Sequence, residues 1–219
     1  MNEAVILLSG GMDSGVMLAW AERQYEGLHG LYFDYGSKHT AREYAMALDL
    51  AGLYKATLQR ISLPFINELF SSSLLSSGKD VPDGPYDSGS ISSTVVPFRN
   101  GIMLAIAAGY AENLKIPTVL IASHSGDHPI YPDCRQSFNE AMSRAASEGT
   151  FAQVKIFAPF ASYNKKGIAD LGRELLFDFT RTYSCYKGSE IHCGRCATCL
   201  ERKAALGFDL GQDPTEYLG

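Results

Sequence analysis

The chain has 219 residues, 46% of them apolar and 11% aromatic, with a formal charge of −5. That describes one main core with at most a small appendage, and the acidic balance argues against broad nucleic-acid binding in favour of free nucleotides or small molecules. No apolar run approaches the ~20 residues that cross a bilayer, and the sequence opens on a strand pattern with no basic leader, so a cytoplasmic protein without a membrane partner is expected.

The first predicted element is the apolar, partly β-branched run Ala4-Val5-Ile6-Leu7-Leu8, followed by Ser9-Gly10-Gly11-Met12-Asp13-Ser14 and a helical pattern over 15–23. A strand, a glycine turn and a helix in succession present unpaired backbone N–H groups at the positive end of a helix dipole, a cradle for phosphate. Gly10 and Gly11 let the backbone approach a ligand closely, and Ser9 and Ser14 add hydroxyl donors. Asp13 beside phosphates is repulsive unless it caps the helix or holds a divalent cation, so it predicts a cap or magnesium. The loop lacks the Gly-Lys-Ser/Thr ending of a Walker loop and the G-x-G-x-x-G spacing of a dinucleotide fold. The pattern SGGxDS resembles instead the pyrophosphate loop of N-type ATP pyrophosphatases, which cut ATP between its α and β phosphates and adenylate a substrate.

Residues 28–33 read as a second strand running into a polar turn over 34–39, followed by a helix over 40–53, a strand over 57–63 and a helical patch over 65–70. Strands alternating with helices imply an α/β fold with an open, mostly parallel sheet and ligands at the strands' carboxyl ends. Residues 71–93, rich in Ser, Gly, Asp and Pro, form either a lid or an idle surface insertion. Val95-Val96-Pro97-Phe98-Arg99-Asn100 leads into a helix over 101–114. At its entrance an arginine forks onto a phosphate or carboxylate, and an asparagine caps or reads a polar edge. A buried-type strand over 118–122 opens into a loop over 123–135, where Asp127, Tyr131, Asp133 and Arg135 make a candidate substrate pocket and His124 and His128 are read as structural or solvated. A helix over 136–147, a strand over 154–158 and an amphipathic helix over 165–176 complete the unit. Lys165 and Lys166 occupy a first turn that dipole logic reserves for acids, and either face an anionic ligand or form a solvated face.

Cys185, Cys193, Cys196 and Cys199 form C-x7-C-x2-C-x2-C. Four such thiolates close a tetrahedral shell around one ion, so structural zinc is expected; an iron–sulfur cluster uses the same ligands, and disulfides suit an oxidising compartment. Cys134 stands apart, as a buried small apolar residue or as lining of the substrate pocket. The chain is expected to divide into an α/β domain over 1–180 and a zinc-binding module over 181–219.

SGGMDS, FDYGSKH, VVPFRN, YPDCR and TYSCYKGSEIHCGRCATC occur in the order found in the 7-cyano-7-deazaguanine synthase family, and the resemblance spans nearly the whole chain. It implies a Rossmann- or HUP-like pyrophosphate-loop fold, zinc on the four cysteines and a homodimer. It also implies use of ATP and ammonia to convert 7-carboxy-7-deazaguanine into its nitrile in queuosine biosynthesis. On that resemblance Leu8, Ser9, Gly10, Gly11, Met12, Asp13, Ser14, Gly15, Val16, Met17 and Leu18 surround ATP, with magnesium near Asp13. Ser9, Asp13, Ser14 and Arg99 serve catalysis, while Arg99, Asn100, Asp127, Tyr131, Asp133 and Arg135 hold the deazapurine. The family usually has glycine where this chain has Phe98 and Ile130, and Thr-Lys near Lys165 and Lys166, so a relative acting on a modified or macromolecule-linked deazapurine is a second reading. A tRNA-thiolase-like adenylating enzyme is a third, and a zinc-stabilised nucleotide-binding module without catalysis a fourth.

Overall fold

A computed structural model describes residues 2–86, 90–127, 129 and 131–218. In chain order the elements are β1 (Glu3–Leu7), α1 (Met12–Glu22), β2 (Gly27–Asp34), α2 (Thr40–Leu53), β3 (Thr57–Ser62), α3 (Pro64–Leu69), α4 (Ser90–Thr94), α5 (Arg99–Leu114), β4 (Thr118–Leu120), α6 (Gln136–Gly149), β5 (Lys155–Phe157), α7 (Lys165–Glu174) and α8 (Ala197–Leu206). Among the described residues the strands form one sheet, β3-β2-β1-β4-β5, with every pairing parallel. The open parallel sheet expected from the alternating pattern is therefore present. Its order reverses between β1 and β4, and there the connections leave in opposite directions and open a crevice at the strands' carboxyl ends.

Ala4, Val5 and Ile6 are fully buried because helices cover both faces of the sheet, which removes the polar alternation of a half-exposed strand. On one face Val5, Leu31 and Val119 pack with Leu104, Ala107 and Ala111 of α5; on the other, Ile6 and Leu120 pack with Val16 and Met17 of α1 and Ile168 of α7. Among the described residues no helix is long and apolar enough to cross a membrane.

Two helices begin earlier than apolar periodicity suggests: α1 at Met12 rather than 15, and α5 at Arg99 rather than 101. Their first turns contribute to the crevice, so they carry polar side chains where a core-facing turn would carry apolar ones. Gly10 takes φ +79, and a Cβ there would collide with the Glu43 carbonyl and stand 2.8 Å from the Ala47 nitrogen. Gly10→Ala is accordingly predicted to destabilise the fold by about 2–5 kcal/mol, the sum of left-handed strain and overpacking, read as a lower denaturant midpoint. Phe98 also lies in the left-handed region, at φ 52 and ψ 27, just before α5. Its ring packs edge-on against Phe138 at 5.6 Å and covers Gly101, outside the crevice lining. Ile130 and His128 lie outside the described residues.

The first part of the 71–93 segment is strapped down. Lys38 Nζ donates to the carbonyls of Ser73 (2.8 Å), Gly78 (3.0 Å) and Lys79 (2.5 Å), and Asp83 pairs with Lys187 at 2.5 Å. This delivers Tyr86 to the crevice wall. The four cysteines join the same apolar cluster as Val5 and Val119, so the C-terminal segment shares the core of the sheet. Arg202, only 1% exposed, ties it further by donating to the Phe179 carbonyl (2.7 Å), Thr182 Oγ1 (2.8 Å), Ser184 Oγ (3.1 Å) and Thr215 Oγ1 (2.8 Å).

Candidate active site

Between β1 and α1 the turn is held by its own serines. The Ser9 amide donates to Ser14 Oγ (3.2 Å), the Ser14 hydroxyl donates to the Gly11 carbonyl (3.1 Å), and the two hydroxyl oxygens are 3.0 Å apart. Gly11 is the N-cap of α1 and has no side chain to close the helix end, so the first helical N–H groups face the crevice without a side-chain cap. Asp13 sits two residues past the N-cap position, too far into the helix to cap it, which corrects the capping alternative. Its Oδ2 accepts from Lys165 Nζ at 2.5 Å and lies 3.8 Å from His124 Nε2, while its buried Oδ1 has no hydrogen-bond partner among the described residues. Burial would push the Asp13 carboxyl up, but Lys165 and His124 outweigh it and hold the group below its ordinary value. Lys165 thus faces inward as a partly buried cation, whereas Lys166 pairs with Asp170 on the surface at 2.6 Å.

His124 is the hinge of the opposite wall. Its Nδ1 lies 3.1 Å from the Gly126 amide nitrogen, and its Nε2 lies 3.3 Å from Asp127 Oδ2. Burial raises the Asp127 carboxyl above its ordinary value, with His124 opposing. Arg99 donates from Nη1 to Tyr35 Oη at 2.9 Å and lies over that ring.

Of the residues expected to hold substrate, Arg99, Asn100, Asp127 and Tyr131 come together in the crevice, and Asp133 and Arg135 do not. Asp133 Oδ2 accepts the Asn100 amide at 2.8 Å and so caps α5, and Arg135 is exposed as the N-cap of α6. The reason is the 3-10 turn at Pro132–Cys134, whose three-residue period puts Tyr131 and Cys134 on one side and turns the intervening side chains away. Cys134 lines the crevice as a thiol that burial, with Asp127 and Asp133 nearby, pushes well above its ordinary range.

Sequence reading missed several lining residues, chiefly His39, Glu43, Tyr86, Tyr186 and Glu201. The available signal was the i,i+4 spacing of His39 and Glu43 directly after the polar turn. His39 is buried, stacks on Tyr186 with ring centres 5.4 Å apart, and is held neutral by burial, down to about 4. Burial pushes the Glu43 carboxyl up to about 8, with Arg99 opposing. An acid whose folded value exceeds its ordinary 4.5 makes the fold lose stability as pH rises from about 4.5 to about 8. Wild type is therefore predicted to lose up to about 4 kcal/mol relative to Glu43→Gln between pH 5 and 8, measured by urea titration at each pH.

The four clustered cysteines are buried, and their sulfurs all lie within 4.8 Å of one another. Cys193 and Cys199 sulfurs are 3.9 Å apart, and Cys193 Sγ accepts from the Arg195 and Cys196 amides at 3.4 and 3.3 Å. Such a set can hold a metal ion. Tyr186 follows one of these cysteines, and Thr198 and Glu201 flank another, so the cluster shapes the crevice wall.

Uncapped helix N–H groups stand at the reversal point of a parallel sheet, with no Walker lysine, in the arrangement that the resemblance of SGGMDS to a pyrophosphate loop implies for an α/β enzyme. The chain belongs to the family described as queuosine biosynthesis protein QueC, whose model matches residues 3–208. It is similar to the 7-cyano-7-deazaguanine synthase of Desulfotalea psychrophila, 55% identical over 218 residues and 100% of both chains. It is also similar to that of Porphyromonas gingivalis, 50% identical over 219 residues, covering 100% of this chain and 98% of the relative. Among solved structures, NMN synthetase from Francisella tularensis shares the fold at a TM-score of 0.50 and 15% identity, over 86% of this chain and 68% of that one.

Proposed function

We propose that this chain is an ATP-dependent ligase that converts 7-carboxy-7-deazaguanine and ammonia into 7-cyano-7-deazaguanine through an acyl adenylate. In a chain of this family, the observation that carries the reading is the uncapped start of α1 beside the partly buried Asp13–Lys165 pair.

A carboxylate is a poor electrophile, so its oxygen attacks the ATP α phosphate and pyrophosphate leaves. Ammonia then displaces AMP to give the amide, which a second activation dehydrates. Each activation builds negative charge on the departing pyrophosphate. The first N–H groups of α1 and the Ser9 and Ser14 hydroxyls meet that charge with donors already in position, and Lys165 adds a fixed positive charge. Asp13 Oδ1, which has no hydrogen-bond partner among the described residues, fits a magnesium ligand, and magnesium held there would supply charge neutralisation on the phosphates. Arg99, Asn100 and Tyr131 line the same crevice and hold the deazapurine, while Asp127 lines it beside His124, at the Asp13 end.

Zinc fits the cysteine cluster. Tetrahedral Zn–S bonds of ~2.3 Å put sulfurs ~3.8 Å apart, close to the 3.9 Å between Cys193 and Cys199. A four-iron cluster attaches each cysteine to a different iron and spreads the sulfurs further. A thiolase-like reading lacks its nucleophile, since Cys134 is held as a thiol and the other cysteines face one another. Because Phe98 points out of the crevice, it gives no support to a reshaped pocket for a larger substrate. The module over 181–219, a cytoplasmic location and a homodimer belong to the same reading.

The test is mass spectrometry of the products from ATP, magnesium, ammonia and 7-carboxy-7-deazaguanine. The nitrile, with AMP and pyrophosphate, is the expected result. Nucleotide binding without turnover would favour a binding module and overturn the reading.

A further inference from the structure

The crevice has a second polar end that phosphate chemistry does not use. Across β1 from the Asp13–Lys165 pair, the Glu43 side chain is only 15% exposed, and it lines the crevice together with His39, Arg99 and Tyr35. The His39 Nδ1–H donates to the Tyr186 carbonyl at 3.3 Å, so its bare Nε2 faces Glu43 Oε2, 3.6 Å away. Arg99 is directed by its bond to Tyr35. A carboxyl acceptor and a guanidinium donor therefore line one crevice together with Tyr35, His39 and Tyr186.

Resting on the ligase reading, the geometry points to Glu43 and Arg99 as the pair that reads the guanine-like edge of the substrate. Glu43 accepts from the ring N1–H and the 2-amino group, and Arg99 donates to the 6-oxo group. The match is one of pattern. That edge presents two neighbouring donors and one acceptor, complementary to a carboxylate beside a guanidinium. The adenine of ATP offers one amino donor next to a ring-nitrogen lone pair, which a carboxylate repels. Before substrate arrives, burial keeps Glu43 neutral, so it does not repel anionic reactants; two convergent N–H donors then favour its ionised form. Asp127 stands instead with His124 near the phosphate loop, on the other side of β1.

The test compares wild type with Glu43→Gln and Glu43→Ala, using 7-carboxy-7-deazaguanine and its analogue lacking the 2-amino group. The side-chain amide of the Glu43→Gln variant turns a donor toward a donor, so KM for the natural substrate should rise about 10–100-fold while KM for ATP stays within about twofold. Wild type should prefer the natural substrate over the analogue by at least about tenfold, and both variants should lose most of that preference. An unchanged ATP KM serves as the control for folding. If wild type makes nitrile but the variants keep its substrate KM and preference, the Glu43 assignment is overturned alone; a rise in ATP KM instead would move Glu43 to the nucleotide. If wild type makes no nitrile, the ligase reading and this assignment fall together.

Discussion

Asp13→Asn is expected to fold normally and to lower nitrile formation by about 10²–10³-fold, the size of effect seen when one charge-stabilising group is removed from a reacting centre. The amide keeps the carboxylate's shape, so the packing of α1 against α7 is undisturbed. The charge is what changes. Lys165 Nζ loses the anion 2.5 Å away, and the oxygen that lies buried without a partner among the described residues would no longer offer a charge to the magnesium proposed there. Asp127 and Glu201 also draw on Lys165, so it stays protonated, but its position is no longer fixed. Removing a negative charge beside the phosphates does not weaken ATP binding in itself, so the loss should fall on kcat and on the magnesium dependence. Pyrophosphate release measured against magnesium concentration checks this. A variant with wild-type kcat and an unshifted magnesium midpoint would show that Asp13 serves only to hold Lys165.

Cys199→Ser is expected to bring zinc content well below one ion per chain after dialysis against a chelator, and to lower the melting temperature by about 10 °C. Losing one ligand opens the tetrahedral shell and leaves the remaining buried thiolates uncompensated, a cost of several kcal/mol, and in a chain of this size each kcal/mol is worth about 2–4 °C. Activity should fall with it, because Tyr186 and α8, which carries Thr198 and Glu201, approach the crevice from the cysteine cluster. Cys134→Ser is the control for metal content, since Cys134 lies apart from the cluster and hydrogen-bonds Asn100 instead. Elemental analysis with calorimetry decides the matter. Full zinc and unchanged melting in the Cys199 variant would remove Cys199 from the ligand set.

The five strands, most of the helices, the glycine turn after β1 and a cysteine spacing that suits a metal were legible in the amino-acid sequence, because each is written within a short contiguous segment, whereas α4 and α8 were not read from it. Backbone geometry alone relates an apolar run to the glycine turn that follows it, and two C-x2-C steps to a shared centre. The partners of those groups were not legible. Lys165 reaches Asp13 across 152 positions, Arg99 reaches Tyr35 across 64, and His39 meets Tyr186 across 147. Asp133 looked like a substrate ligand and became a helix cap, while Glu43 drew no reading of its own and proved to line the crevice with its side chain only 15% exposed. What a charged group does depends on the burial and charge around it, and both are sums over residues that only the crossing connections of the folded sheet bring together.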